Sequence, residues 1–180
     1  MLHTLRRWRA YTALRRRARP TAVLVVCHGN ICRSPYAAAR LTRQLGTAGI
    51  MVESAGFLSR DRPCPPEAVT AAARRGEDLS THRSAFLAPD VARAADVIVV
   101  MDPAQGRVIC ERFGRSPRDI VVLGDLDPTP LATRIIRDPI DQSPGVYAAT
   151  YARIERCVAV FVAALGVGQR AGATTGRRGL

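Results

Sequence analysis

The sequence predicts an α/β fold: a single-domain three-layer sandwich in which helices flank a four-stranded parallel sheet. Two observations lead to this prediction. Short apolar runs rich in β-branched residues, typical of buried strands, alternate along the chain with longer segments that have helical character. The chain has 180 residues, of which 47% are hydrophobic, and this suits one domain with one core. Ligands of such folds bind beyond the carboxyl ends of the strands.

The predicted elements follow one another without an internal repeat. Strands are predicted at 23–26, 50–55, 94–101 and 120–123. Helices are predicted at 34–47, 67–75, 102–113 and 145–165. The first of these helices should begin with Ser34 as N-cap and Pro35 in its first position. A polar, Pro-rich loop over 125–144 separates the last strand from the last helix.

Charge divides the chain into an extension over 1–20, a domain over 21–165 and a tail over 166–180. The formal net charge is +12, and all 27 residues counted as Lys or Arg are Arg. Seven of them lie in the extension and three in the tail, and neither segment contains an acidic residue. The domain between them is nearly neutral, and the Gly- and Arg-rich tail is predicted to be disordered.

The extension places apolar residues at helical spacing among its Arg residues: Leu2, Leu5, Trp8, Tyr11 and Leu14. It is either a basic amphipathic helix, suited to a membrane surface or an acidic partner, or a solvated disordered segment. A specific nucleic-acid ligand is not expected. No export signal or apolar run of membrane-spanning length is recognised. Five scattered cysteines do not suggest a disulfide framework, so we expect a cytoplasmic protein.

The segment after the first strand has the composition of a phosphate-binding loop. Gly29 lets the backbone approach a ligand closely, and Asn30 tolerates left-handed geometry. Backbone N–H groups in such a turn, together with the start of the next helix, favour an anion. Arg33 can bind two phosphate oxygens with its planar guanidinium. These surroundings should hold Cys27 as a thiolate that faces a phosphoryl group.

The segment Cys27-His28-Gly29-Asn30-Ile31-Cys32-Arg33-Ser34-Pro35 resembles the signature loop of the low-molecular-weight protein tyrosine phosphatases. This family also includes arsenate reductases and protein-arginine phosphatases, and the resemblance extends over about residues 21–165. It implies a phosphocysteine on Cys27 and no cofactor or metal. The implied substrate-binding residues are His28, Gly29, Asn30, Ile31, Cys32, Arg33 and Ser34.

The resemblance also implies roles for residues around the nucleophile. Ser34 should donate a hydrogen bond to the thiolate, and His82 should support the loop through Asn30. Cys32 should protect an oxidised Cys27 by forming a disulfide with it.

A cysteine-dependent phosphatase also needs a carboxylic acid that protonates the leaving group and later activates water. The late loop contains two Asp-Pro dipeptides, Asp127-Pro128 and Asp138-Pro139, and position alone does not separate them. The family places its general acid in an Asp-Pro just before the last helix, which favours Asp138.

Two positions bear on the substrate class. Phosphotyrosine-directed members usually have an aromatic residue after the Asp-Pro, where this chain has Ile140. His28 and the loop over 57–62 would form the other wall of the ring slot. Ile31 stands where protein-arginine phosphatases usually have Thr. We therefore favour a phosphotyrosine protein as substrate, such as a bacterial tyrosine kinase, over phosphoarginine.

Two other functions stay open. Arsenate reduction needs a relay pair of cysteines, and Cys64, Cys110 and Cys157 are isolated in the sequence. The remaining hypothesis is a non-enzymatic binding domain that uses its Arg-rich extension.

Overall fold

Helices cover both faces of a four-stranded parallel sheet, which confirms the predicted fold class. The computed structural model describes residues 2–58 and 60–167. The strands are β1 (Ala22–Cys27), β2 (Met51–Gly56), β3 (Val97–Val100) and β4 (Ile120–Val122). Their order is β2-β1-β3-β4, and every neighbouring pair is parallel. Because β1 is paired on both sides, the loop that follows Cys27 is fixed near the middle of the sheet's carboxyl edge.

The described helices are α1 (Leu2–Arg16), α2 (Arg33–Leu45), α3 (Pro66–Ala73), α4 (Pro89–Ala94), α5 (Pro103–Phe113) and α6 (Pro144–Leu165). The prediction missed α4, and it began the third strand too early. Pro89 occupies the first turn of α4, where its missing N–H costs nothing, and Ala92 packs into the core. Among the described residues, every helix is too short or too polar to cross a lipid bilayer.

The side chains of β1 alternate between two buried clusters, as the pleat of a strand requires. Val23, Val25 and Cys27 belong to the larger cluster, which includes residues of α1, α2, α3 and α6. Leu24 and Val26 belong to the smaller cluster, which includes residues of α4 and α5. The sheet is therefore buried on both faces, and this explains why its strands read as continuous apolar runs.

The extension contains a helix, α1, that packs against α6 and the 3-10 turn at 123–126. Leu14 is buried in this contact, and Tyr11 is partly buried. The apolar residues do not form one face, because a step of three residues falls about 60° short of a full turn. Leu2, Leu5 and Trp8 are exposed instead. Of the predicted tail, only 166 and 167 are described; the rest lies outside the described residues.

Candidate functional site

The loop between β1 and α2 directs two hydrogen bonds at the sulfur of Cys27. The Asn30 N–H donates to Cys27 Sγ over 3.3 Å, and the Ser34 hydroxyl donates over 3.0 Å. The Cys27 side chain is buried. Hydrogen bonds donated to an ionisable group favour its negatively charged form. The loop therefore offers this sulfur the hydrogen-bond donors that a nucleophilic thiolate would need.

Asn30 holds the shape of this loop. It is fully buried and has a φ of 52°, a left-handed conformation that Asn tolerates. Its Nδ2 donates to the hydroxyls of Ser34 and Ser54, each over 2.9 Å, and its Oδ1 accepts from the Ala85 N–H over 2.8 Å. The Asn30 carbonyl oxygen lies 2.8 Å from His82 Nε2, so the structure brings together the two residues that the resemblance paired.

The start of α2 differs from the prediction. The helix begins at Arg33, its N-cap residue is Cys32, and no side chain caps it. The prediction of Ser34 as N-cap was therefore wrong. The Ser34 hydroxyl is bonded to the Cys27 sulfur, a contact that the local capping pattern does not reveal.

Arg33 and Asp138 meet at the mouth of the loop. Arg33 Nη2 forms an ion pair with Asp138 Oδ2, and Arg33 Nη1 donates to the Ile136 carbonyl over 3.2 Å. The Arg33 side chain is buried, whereas that of Asp138 is 37% exposed. Within the described part of the chain, the buried Arg33 Nε has no acceptor. Nε and Nη2 lie on the same side of the guanidinium, where an Arg can bind two oxygens of a phosphate.

The other candidate acid, Asp127, lies in different surroundings. It is fully buried and accepts hydrogen bonds from two Arg residues of α6. Arg153 Nε donates over 3.0 Å, and Arg156 donates through Nε and Nη2, each over 3.1 Å. These bonds direct the carboxylate toward α6, so the structure brings Asp138, and not Asp127, to the phosphate-binding loop.

Cys32 is a buried thiol that contacts two Tyr residues. Burial raises the pKa of Cys32 to about 12, and the charges of Asp138 and Cys27 add to the rise. Tyr147 acts in the opposite direction and lowers the pKa of the thiol, and the Tyr151 hydroxyl donates to the Cys32 carbonyl over 3.2 Å. Cys32 is therefore a protonated thiol at neutral pH.

Cys64 lies closer to the site than its sequence position suggests. Burial raises its pKa to about 11, and the charge of Cys27 is the next largest cause. All five cysteines are free thiols. Cys110 lies on α5, whereas Cys157 is buried in the core on α6. Cys64 is thus an additional thiol near Cys27, although it is isolated in the sequence.

The rim of the loop is basic on the side of β2. Arg62 Nη1 lies 3.6 Å from the position that a Cβ on Gly29 would occupy. The Phe57 N–H donates to the His28 carbonyl over 2.9 Å, which fixes the loop after β2 beside the site. Ile140 is partly buried against the larger core cluster. Arg62 was not predicted as a site residue, since only the folded chain places it beside Gly29.

Three other contributors were also missed. Ser54 lies on β2, and Tyr147 lies on α6. At Gly56, a Cβ would lie only 2.8 Å from the His28 carbonyl oxygen and 2.9 Å from the Asn30 nitrogen. A Gly at a strand end can indicate close approach of two backbones, and this was the one available signal.

Known proteins share this fold and sequence pattern. The family model described as "Low molecular weight phosphotyrosine protein phosphatase" matches residues 22–170. A protein of Ralstonia nicotianae named "Probable low molecular weight protein-tyrosine-phosphatase EpsP" is 34% identical over 140 residues, which are 78% of this chain and 92% of that protein.

Two solved structures are similar in fold. The tyrosine phosphatase Wzb from Escherichia coli K30, in complex with sulphate, has a TM-score of 0.74 and 26% identity and covers 82% of this chain and 99% of its own. The arginine phosphatase YwlE from Geobacillus stearothermophilus has a TM-score of 0.73 and 27% identity, with coverage of 83% and 96%.

Proposed function

Because this chain belongs to the low molecular weight phosphotyrosine protein phosphatase family, we propose that it hydrolyses phosphotyrosine in proteins through a phosphocysteine intermediate. One observation carries the proposal. The Cys27 sulfur accepts hydrogen bonds from Asn30 and Ser34 at the carboxyl end of β1. Arg33 and Asp138 meet at the mouth of the same loop. A nucleophile, a guanidinium and a carboxyl group are the parts that phosphomonoester hydrolysis by a thiolate requires.

In the first proposed step, the Cys27 thiolate attacks phosphorus. The Sγ–P bond forms while the bond from phosphorus to the tyrosyl oxygen breaks. Asp138 gives its proton to the departing phenoxide. Arg33 exchanges its contact with Asp138 for two phosphate oxygens, which it binds through Nε and Nη2. The positions of both atoms support this role. Nε is buried without an acceptor among the described residues, and Nη2 is at the loop mouth.

In the second step, water hydrolyses the phosphocysteine. Asp138 accepts a proton from the attacking water, and Cys27 leaves as a thiolate. The Asn30 N–H and the Ser34 hydroxyl stabilise the returning charge with the bonds that they make in the structure. Asn30 can keep this geometry because Ser54, Ala85 and His82 hold it from three directions.

The names of the relatives support phosphotyrosine as the substrate class, and Ile31 adds to this because protein-arginine phosphatases usually have Thr there. The family resemblance makes a bacterial tyrosine kinase our candidate protein substrate. Arg62 beside Gly29 supports acidic residues next to the phosphotyrosine. We also propose a cytoplasmic location, which the five free cysteines support.

Arsenate reduction is the second candidate, and one observation favours it. Cys64 is near enough to Cys27 for the Cys27 charge to raise its pKa. With Cys32 it would supply the additional thiols that reduction by a relay needs.

Side-by-side rates on peptides that carry phosphotyrosine, phosphoserine or phosphoarginine test the proposal, with arsenate and a thiol donor as a further assay. We expect the highest kcat/KM on phosphotyrosine. A higher value on phosphoarginine, or arsenate reduction without phosphatase activity, would overturn the proposed substrate class.

The Cys27→Ser variant should lose turnover yet still bind vanadate. Phosphate binding without turnover by the unaltered protein would favour the binding-domain hypothesis.

We further propose that Cys32 protects the nucleophile from irreversible oxidation. Peroxide oxidises the Cys27 thiolate to a sulfenic acid, and the Cys32 sulfur then displaces water to form a disulfide. The neutral sulfenic acid removes the Cys27 charge that helps to raise the Cys32 pKa. A dithiol should therefore restore activity after peroxide treatment. In the Cys32→Ser variant, excess peroxide should oxidise the unprotected sulfenic acid further to the sulfinic acid, which a dithiol does not reduce, so activity should not return; full recovery of that variant after the same treatment would exclude the role.

A further inference from the structure

The solvent side of α1 combines apolar and basic side chains. We define the outer face of α1 as Leu2, Leu5, Trp8, Arg9 and Arg16. Leu2 is 61% exposed, Leu5 43% and Trp8 60%. Spacings of three, four and seven residues place Leu2, Leu5, Arg9 and Arg16 along one side of a helix, and Trp8 lies next to Leu5. Buried Leu14 faces the domain from the other side.

The helix that carries this face is tied to the domain. Leu14 is buried against the core, and the Arg17 side chain donates to the Asp96 carbonyl over 3.0 Å at the start of β3. Thr21 is bonded to the Asp96 carboxylate through both its N–H and its hydroxyl. The outer face is therefore displayed on a fixed support.

A groove with an apolar floor and a basic rim continues from the outer face toward β4. Its volume is about 470 Å³, and its floor includes Leu14 and Val121. Its rim includes Arg6, Arg9 and Arg118, and its lining also contains Asp125, whose carboxylate is paired with Arg134. A molecule that presents negative charge beside hydrocarbon would match both parts of this surface.

The outer face of α1 lies outside the part of the chain that the family model matches. The family match begins at residue 22, after α1 has ended. Residues 1–20 contain seven Arg residues and no acidic residue. The outer face of α1 is thus an addition to the part of the chain that the family shares, and the uniform positive charge of residues 1–20 calls for an anionic partner.

We propose that the outer face of α1 docks this protein on membrane surfaces rich in anionic phospholipid. Trp8, Leu2 and Leu5 enter the boundary between headgroups and acyl chains, where Trp is favoured and apolar side chains leave water. The surrounding Arg residues bind lipid phosphates. The three exposed apolar residues favour a bilayer over nucleic acid, since a phosphate backbone would leave them in water.

The protein contains a single Trp, so its fluorescence reports on this surface directly. The full chain is mixed with vesicles of phosphatidylcholine that contain phosphatidylglycerol, and with vesicles of phosphatidylcholine alone. We expect Trp8 emission to shift to shorter wavelength, and the protein to sediment, only with the anionic vesicles. High salt should reverse both effects because it screens the phosphates.

Two variants with equal charge loss separate the surface from overall charge. Arg9→Gln with Arg16→Gln should weaken vesicle binding about 30-fold, since each basic residue near an anionic surface contributes a factor of about five. Arg107→Gln with Arg112→Gln alters exposed residues of α5, in the opposite layer of the sandwich, and should bind as the unaltered protein does. Both should hydrolyse p-nitrophenyl phosphate normally in solution, which verifies folding.

Three outcomes would overturn the proposal. Trp8 emission that does not change with anionic vesicles would exclude insertion of the outer face. Equal weakening in both double variants would assign the binding to net charge. Binding to duplex DNA without binding to anionic vesicles would assign α1 to nucleic acid.

Discussion

Two Asp-Pro dipeptides in one loop have opposite surroundings. Asp127 is fully buried, and its carboxylate accepts hydrogen bonds from Arg153 and Arg156. Asp138 is 37% exposed and pairs with Arg33 at the mouth of the phosphate-binding loop. The dipeptide is the same in both, so the difference comes from which guanidinium groups the fold supplies. A buried carboxylate held by two ion pairs serves stability, whereas a partly exposed one beside a nucleophile can move a proton.

The two regions are also connected. Arg153 Nη1 donates to the Ile135 carbonyl over 2.7 Å, and Arg33 Nη1 donates to the Ile136 carbonyl over 3.2 Å. Consecutive carbonyl groups are thus held by one Arg from each region, just before Asp138. The Asp127–Arg153 ion pair therefore helps to fix the backbone from which Asp138 reaches the site.

The largest expected effect is on catalysis, in Asp138→Asn. It should lower kcat about 10²- to 10⁴-fold for phenyl phosphate, because no acid then protonates the phenoxide. The loss should be smaller for p-nitrophenyl phosphate, whose leaving group needs little protonation. The thermal midpoint should barely change, since Asp138 is partly exposed. Steady-state kinetics on both substrates measures this, and an equal loss on both would exclude Asp138 as the acid.

The next effect is on stability, in Asp127→Ala. This change leaves two guanidinium groups without their carboxylate and should cost about 3–5 kcal/mol of unfolding free energy. Urea unfolding measures it. Asp138→Ala is the matched control, as it truncates the same dipeptide, and it should cost clearly less, since it removes one ion pair from a partly exposed carboxylate. If Asp127→Ala kept its stability but lost kcat, the two Asp residues would have been assigned the wrong way round.

The part of the site that is contiguous in sequence could be predicted. Cys27 and Arg33 flank one loop, and β1 that precedes it is an apolar run that a doubly covered sheet requires. Asp127 and Asp138 could not be separated from the sequence, since their surroundings depend on Arg153 and Arg33, which are distant along the chain. Of the sequence signals, only the family resemblance favours Asp138.

The failures have the same origin. Ser34 has the pattern of an N-cap, but its hydroxyl is bonded to a sulfur seven residues earlier. Cys64 looks isolated in the sequence, yet the charge of Cys27 reaches it. The apolar residues of α1 are spaced as in a helix, but only packing shows that Leu14 is buried while Trp8 is exposed. In each case tertiary contacts outweigh a valid local signal.

The two Arg residues that hold Asp127 should differ in importance. Arg153 is 10% exposed and also donates to the carbonyls of Ile135 and Thr133, whereas Arg156 is 39% exposed. Arg153→Gln should cost about 2–3 kcal/mol, and Arg156→Gln about 1 kcal/mol or less. Only Arg153→Gln should also lower kcat, through the backbone before Asp138. Urea unfolding and kinetics of the pair test this, and equal effects would contradict a special role for Arg153.

The smallest expected effect concerns Asp96. Its carboxylate accepts several hydrogen bonds, as that of Asp127 does, but it is exposed to solvent, as that of Asp138 partly is. Its carboxylate accepts from the Thr21 N–H and hydroxyl and from the Ala22 N–H, and these bonds lower the pKa of Asp96. Because the pKa is lower in the folded protein, the ionised carboxylate stabilises the fold at every pH above the unfolded pKa of about 3.9. This contribution disappears as the pH falls through the pKa of the folded state. The unaltered protein should therefore be more stable than Asp96→Asn at neutral pH, and the difference should close on acidification below about pH 4. Thermal unfolding of both proteins across this pH range measures the difference. A stability difference that persists at low pH would mean that the Asn side chain disturbs packing. The three hydrogen bonds to the exposed Asp96 carboxylate would then contribute no measurable stability.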